Sequence, residues 1–508
     1  MTEYAQGNKR IARNSLFMSL RMVFVLSLTF YATRAILKIL GDDDYGIYVA
    51  VCGFVTIFSF LNLSVSNGIQ RFYNYELDRN GSDGPCLVYN TALRIQLIAA
   101  ILLLIIIEVA GIWYINKKMV IPADRLDAAL WAFHFSVVGL IFSTLQTPYA
   151  AAVIAHEKMD YYALVNVFDA FLKVGIVFLL PYISFDSLAT YAALFSSINF
   201  LNLLLFSCYA KWNFPEIKFK KHIDKSMFRP MISFSGWNIF GSFSGMMKEH
   251  GINLIINLFC SPAVIAARGL TAQINAGLMS FVSSIIIPVR PQVVQSYAMQ
   301  DYDRTLNLTY SVSRVTSCVI VLITLPIILD THYILWLWLG NNIPAYTEPF
   351  AIIIILISFV NNLNCAVSGV IHASGRMMLY QTVTSAVSLM CLPTAYMLLK
   401  YNFSPNYAIL MVLLWTIISQ YVSLLIMKRV INFSISSYAK EVLWPLIKMT
   451  LLAAIIPAFI RLNMEDGLLR FLLIGTSCVV MTTICCYRLV LQPSEKELVK
   501  EYCKRIVS

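Results

Sequence analysis

Long apolar runs recur along this 508-residue chain, and they decide its solvent. Lipid offers no partner to a free backbone amide, so a chain crosses it as helices of about 20 apolar residues. Fourteen stretches meet that length: 15–40, 45–66, 88–113, 128–153, 161–182, 187–208, 227–257, 263–288, 306–330, 349–370, 377–399, 406–427, 441–461 and 467–490. Charged residues are 13% of the chain, about half the usual share, while apolar types reach 59%. That little charge cannot cover the two to four soluble domains a chain of this length would form. A soluble enzyme, a disordered protein and a fibre are excluded together. The expected fold is an all-α polytopic membrane protein with 14 transmembrane helices.

The first apolar run follows a polar, basic segment, Met1 to Asn14. Ser15 to Leu40 is too long for a signal-peptide core, contains Arg34 and Lys38, and lacks a small-residue cleavage site. It reads as a retained first span. Orientation follows from Lys and Arg in the short loops. With the N-terminus inside, 23 of the 29 loop and tail cations fall on the inner side. Both termini are therefore expected in the cytoplasm, and so is the basic loop Lys211–Arg229 between spans six and seven. The net charge of +11 is explained by membrane topology, with no nucleic-acid partner.

Two local matches suggest a duplication. Ala150-Ala151-Ala152-Val153-Ile154-Ala155 and Val367-Ser368-Gly369-Val370-Ile371-His372 each close a span after a polar cluster, 217 residues apart. Ile69-Gln70-Arg71 and Val289-Arg290-Pro291 follow spans two and eight at a separation of about 220. Six spans is an even number, so the two repeats are parallel. The expected organisation is an N-terminal lobe at 1–210 and a basic linker at 211–226. A second six-helix lobe follows at 227–428, with two extra spans and a tail at 429–508.

The chemistry-bearing residues are sparse. The 11 Cys form no Cys-x-x-Cys pair and the 6 His no His-x-x-x-His pair, so neither a disulfide framework nor a metal site is expected. No Gly-Lys dipeptide and hence no P-loop occurs. Nine basic residues lie within spans: Arg21, Arg34, Lys38, Arg94, Lys173, Lys248, Arg268, Arg314 and Lys448. Three acids lie well inside: Glu108, Asp169 and Glu249. A basic residue at the bilayer centre costs about 2.5–3.5 kcal/mol, so each needs water, a partner or a route to the surface. Arg21, Arg94, Arg314 and Lys448 lie near span ends and are expected to snorkel. Asp169 and Lys173 are spaced i,i+4 and can pair on one helix face.

The rest fall into stripes. Ser27, Tyr31, Arg34 and Lys38 follow one face of span one. Asn238, Ser242, Gly245, Glu249, Asn253 and Asn257 follow one face of span seven, with Lys248 beside it. Arg268, Thr271 and Asn275 follow a face of span eight. Spans one and seven are equivalent in the two repeats. Cationic stripes at matching places read as the lining of a shared cavity whose field favours anions, and phosphate above all. Tight packing through small and polar residues remains the other reading of the same stripes.

The fourteen spans, the two six-helix halves and the Arg13-Asn14-Ser15-Leu16 entry to span one resemble a known family. So does the turn Ile39-Leu40-Gly41-Asp42-Asp43-Asp44-Tyr45-Gly46-Ile47-Tyr48, which follows a Leu-Gly-x-x-x-Tyr-Gly pattern. The family is the polysaccharide flippases, of O-antigen (Wzx-like) type, in the multidrug/oligosaccharidyl-lipid/polysaccharide exporter superfamily. The resemblance implies a V-shaped pair of lobes with a central cationic cavity. By position, Arg34, Lys38, Lys248 and Arg268 would bind substrate. Ser27, Tyr31, Asn238, Ser242, Asn253, Thr271 and Asn275 would line the cavity. Glu249, Asp169 and Lys173 are candidates for ion coupling. The cargo would be an undecaprenyl-pyrophosphate-linked oligosaccharide, an O-antigen, capsule or exopolysaccharide unit. Alternating access would move it outward across the plasma (inner) membrane. No cofactor or catalysis is implied. The implied partners are the bilayer, a counter-ion (H+ or Na+), a polysaccharide polymerase and a chain-length regulator. A peptidoglycan-precursor flippase and a multidrug cation antiporter share the architecture. The antiporter usually has twelve spans and an acidic pocket. A membrane-embedded polymerase would carry a longer outside loop than the roughly 15–18 residues present here.

Overall fold

The computed structural model describes residues 2–77, 83–156, 158–219, 227–229, 231, 241–374, 377–431, 433–493 and 495–496, with the backbone alone for 2–23 and scattered helix positions. Every regular element among them is helical. Eleven of these helices are long and apolar enough to cross a bilayer. The expected count was fourteen. Three features account for the difference. Spans one and two run as one continuous helical stretch, much of span seven lies outside the described residues, and the helix of span eight carries several such positions.

The helices form two compact units. One comprises residues 21–270 and 388–408; the other comprises 1–20, 271–387 and 409–508. The first begins in α1 (Thr2–Ile57), which bends at Gly41 (φ 78°, ψ 173°). That left-handed φ favours glycine, and the bend is where spans one and two separate. After Ile57 the chain turns through Phe58 and Ser59 into α2 (Phe60–Leu77), so the expected helix 45–66 is two helices. Next come α3 (Asp83–Lys117), α4 (Leu126–Ala155), α5 (Met159–Leu179) and α6 (Ser187–Asn213). Helix α4 is buried through Ala129, Ala132, Val137, Ala151 and Ala152, small residues that let its neighbours approach closely.

The Gly41–Tyr48 motif is spent on joining helices. Asp44 accepts along one edge of the Arg125 guanidinium with both oxygens, at 2.8 Å from Nε and 2.5 Å from Nη2. Nη1 of the same Arg125 reaches Asp186 at 2.7 Å, and Asp186 caps α6 through the Leu188 and Ala189 amides. Tyr48 packs edge-on against Tyr191 of α6, with ring centroids 4.7 Å apart. A Cβ on Gly46 would stand 2.0 Å from the Pro262 carbonyl oxygen, so no side chain fits there without moving backbone.

At the other end of this bundle, beyond the apolar spans, His156 meets Glu216 at 3.0 Å and stacks on Phe214 at 3.9 Å. Burial opposes the charged ring, but the hydrogen bond with Glu216 and that with the Ala152 carbonyl outweigh it and raise the His156 pKa. Burial likewise opposes the Glu216 carboxylate, and the hydrogen bond with His156 outweighs it and lowers that pKa. The signs set a window. The histidine contribution is full below its unfolded value of about 6.5 and lost as pH rises through its raised folded value. The glutamate contribution is present above the ordinary carboxylate range and lost as pH falls through its lowered value. Thermal stability of purified protein should plateau between these limits and fall on both sides by about 2 kcal/mol, the worth of a charge-assisted hydrogen bond. Glu216→Gln should flatten both shoulders. Unchanged shoulders in that variant would show that the pair is not their source.

The second unit is centred on α9 (Tyr302–Leu329), which follows α7 (Ile252–Asn257) and α8 (Pro262–Ala298) in the chain. Helices α10 (Thr331–Leu339), α11 (Thr347–Ala373), α12 (Met377–Leu389), α13 (Cys391–Lys400) and α14 (Pro405–Val430) follow. The chain ends in α15 (Ile435–Tyr438), α16 (Trp444–Asn463) and α17 (Leu468–Cys485). Val321, Leu325, Val367, Val370, Met449 and Ile474 form one buried cluster in this unit. The nine-residue α10 was not anticipated. Its exposed Trp336 and Leu337 suit the membrane interface better than either solvent alone.

Two cations behave differently from expectation. Arg314 does not snorkel: it is 2% exposed and pairs with Glu495 at 2.8 Å. A partner supplied by the tail removes the need to reach water. Arg470, near the start of the last expected span, is not among the nine cations placed within spans. It is buried in α17, where Nη2 pairs with the buried Asp330 at the end of α9 and Nη1 with Asp466. Of the other expected snorkellers, Arg94 sits 5.8 Å from the Phe219 ring and Lys448 5.1 Å from the Trp444 ring. The side chain of Arg21 lies outside the described residues.

Candidate functional site

Among the described residues, a set of ionisable groups within the apolar spans surrounds a wide helical turn, Met247–Gly251. Such a π-helical turn holds one residue more than an α-turn and re-aims the side chains it carries, and it recurs at functional sites. Here it carries Lys248, Glu249 and His250 in succession. Helix α7 continues from it and packs on α1, because a side chain at Gly53 would touch His250 and Asn253. The Tyr114 hydroxyl of α3 donates to the Leu254 carbonyl at 3.1 Å and ties α7 to the bundle. The start of α8 crosses α1 at Gly46 and Val49, which face Pro262 and Gly269. This crossing sets Arg268 beside the wide turn.

Arg268 is 2% exposed, and its Nη2 lies 3.4 Å from Glu249 Oε1. Glu249 is 38% exposed, so the guanidinium sits behind its carboxylate. Lys248 is half-buried, within electrostatic reach of Glu249, Arg268 and Cys391 of α13. His250 senses the same Glu249 and Arg268. Two cations, one carboxylate and a titratable ring thus share one place. Their balance is positive by one charge with a neutral histidine, which suits an anion that can displace or replace Glu249.

The structure brings Lys248, Glu249 and Arg268 together, with Asn253 (5% exposed) packed just beyond them. Ser242 is half-buried one turn before, and Asn238 lies outside the described residues. Arg34 and Lys38 form an accessible pair on α1, on the face that also carries Ser27 and Tyr31. The Tyr31 ring approaches Phe178 of α5 at 6.4 Å. Thr271 is fully buried one turn after Arg268, and Asn275 accepts a hydrogen bond from Ser358 at 2.7 Å in the second unit. Asp169 holds the Lys173 ammonium at 2.6 Å and accepts from Asn202 at 2.8 Å, an internally satisfied group. Sequence reasoning missed His250. The signal was there: three consecutive ionisable residues inside an apolar span. No cluster of His, Cys, Asp and Glu among the described residues has a metal-holding arrangement.

No family model matches this sequence, and no curated protein matches it closely enough to count. Solved structures do match. The lipid II flippase MurJ in an inward closed conformation aligns with a TM-score of 0.73 at 12% identity, over 92% of this chain and 98% of that one. An inward-facing multidrug resistance transporter of the MATE family in the MOP superfamily aligns at 0.64 with 11% identity, over 83% and 99%. A MOP superfamily transporter from Pyrococcus furiosus, described as having a binding pocket of reversed polarity, aligns at 0.57 with 13% identity, over 82% and 94%. At these identities the likeness speaks for the fold: this chain is a multi-pass membrane protein with the fold of the MOP superfamily transporters.

Proposed function

We propose that this protein is a flippase for an anionic, lipid-linked oligosaccharide, carried from the cytoplasmic to the outer face of the plasma membrane. The polyprenyl-pyrophosphate oligosaccharides used to build surface polysaccharides are the cargo class. The observation that carries this reading is Arg268, a nearly buried guanidinium beside Lys248 inside the apolar spans of a transporter fold. An exporter of cationic drugs has no use for two cations at that place, whereas a pyrophosphate needs them. Carrying the headgroup through bare hydrocarbon would strip water from many hydroxyls at a cost of kcal/mol each, and a polar path removes most of that barrier.

A second reading has one observation in its favour. The structure of a lipid II flippase aligns over 92% of this chain, so a peptidoglycan precursor is the competing cargo. Proteoliposomes separate the three classes. Fluorescent polyprenyl-pyrophosphate oligosaccharide should cross from one leaflet to the other with protein and not without it. The peptide-bearing precursor should cross at a lower rate and a cationic dye not at all. Faster movement of the precursor would favour the second reading. Movement of the dye alone would overturn both.

A further inference from the structure

A separate, half-open cavity lies within the first unit, lined by α1, α4 and α6, with a volume of about 150 Å³. No charged side chain lines it. Its polar groups are hydroxyls, the Cys52 thiol and one carboxamide. Thr56 and Ser59 come from the α1 side, Ser136 and Ser143 from α4, and Ser196 and Asn199 from α6. Phe135 and Phe195 supply aromatic walls. Many of these polar groups have capacity to spare. Thr56 donates to the Cys52 carbonyl at 2.7 Å and meets the Cys52 thiol at 3.8 Å, and Ser136 donates to the Ala132 carbonyl at 2.7 Å, so each spends its proton and keeps lone-pair capacity. Among the described residues the Ser143 and Ser196 hydroxyls have no hydrogen-bond partner. Hydroxyls with that spare capacity can bond a guest that enters the cavity.

The nearest charges are held out of the way. Lys173 lies over the Phe195 ring at 5.3 Å and is neutralised by Asp169 at 2.6 Å. The cavity also depends on a glycine. A Cβ on Gly139 would stand 3.0 Å from Asn199 Nδ2 and 3.4 Å from Ser196 Oγ, so its absence keeps the polar wall open.

We propose that this cavity is a subsite for one neutral, hydroxyl-bearing ring: a monosaccharide unit. Its space equals roughly five waters at ~30 Å³ each, enough for one pyranose and too little for two. Scattered hydroxyl and carboxamide groups between aromatic walls suit a ring that is polar at its rim and apolar on its faces. A bare cation would want a carboxylate among its ligands, and none lines the cavity. The identity of the ring as part of the cargo rests on the proposed flippase function; the binding itself does not.

The test is saturation-transfer NMR on the purified full-length protein in detergent, with methyl pyranosides of several hexoses and N-acetylhexosamines as probes. At least one pyranoside should bind with a millimolar Kd, and cyclohexanol should not compete. Gly139→Val fills the space and Asn199→Leu removes a polar wall at similar volume; each should weaken binding at least tenfold. Arg268→Ala should leave it unchanged, which separates this subsite from the cationic one. Gel filtration and thermal melting confirm that both cavity variants fold. Absence of pyranoside binding, or binding untouched in folded Gly139→Val and Asn199→Leu, overturns the proposal. So does displacement of the sugar by sodium chloride but not by choline chloride, which would make the cavity a cation site.

Discussion

Replacing Arg470 by leucine is expected to destabilise the protein by about 3–5 kcal/mol, the cost of removing one partner from a buried ion pair. Asp330 is 2% exposed, and Arg470 reaches it across 140 residues of sequence. Without the guanidinium, a carboxylate remains in an apolar place with no compensating charge. The loss should appear as a lower thermal midpoint in detergent and less protein in membranes. The double variant Asp330→Asn with Arg470→Leu should recover most of it, since the stranded charge is gone. Asp466→Asn is the control. That carboxylate is 60% exposed, and surface pairs contribute about 0–1 kcal/mol. A single Arg470→Leu variant as stable as the parent would show that the pair does not hold α17 to α9.

The second large effect concerns transport. Arg268→Ala should lower flipping of a pyrophosphate-linked cargo roughly a hundredfold, corresponding to about 3 kcal/mol of charge-assisted hydrogen bonding. Arg268→Lys should recover only part, because a point charge cannot reproduce the two-pronged donor geometry. Glu249→Gln should act in the opposite sense on binding. The phosphate no longer has to displace a carboxylate from Arg268, so cargo affinity should rise. A purely structural ion pair behaves otherwise. Arg268→Ala would then lower the amount of folded protein first, and Arg268→Ala with Glu249→Ala would restore it. Flipping at the parental rate in Arg268→Ala would refute the cationic site.

How far the sequence foretold this varies by the range of the interaction involved. The apolar helices were legible because lipid imposes a length and a composition on every span, and helices such as α4 and α6 begin and end within a few residues of expectation. The bend at Gly41 had a local signal in its glycine. The break at Phe58–Ser59 had none, since both residues continue an apolar helical run. Arg314 and Arg470 were misjudged for one reason: their partners, Glu495 and Asp330, lie 181 and 140 residues away. Helical periodicity reports which residues share a face, and it is silent on what that face meets. At the candidate site, the stripe of span seven named Glu249 and Asn253. The extra residue in the Met247–Gly251 turn was invisible, because hydrogen-bond register within a helix leaves no mark in composition.

The Gly41–Tyr48 turn has a bearing on how such chains are recognised. Its glycine bend, its carboxylate clasp on Arg125, its ring against Tyr191 and its bare backbone against Pro262 are all carpentry. Neither the bend nor the clasp touches the Lys248–Arg268 cluster's ionic groups in any described contact. A search keyed to that signature therefore retrieves a scaffold whatever freight it handles. Sorting the retrieved chains by freight requires reading a different address: the wide turn at Met247–Gly251 and the first two turns of α8.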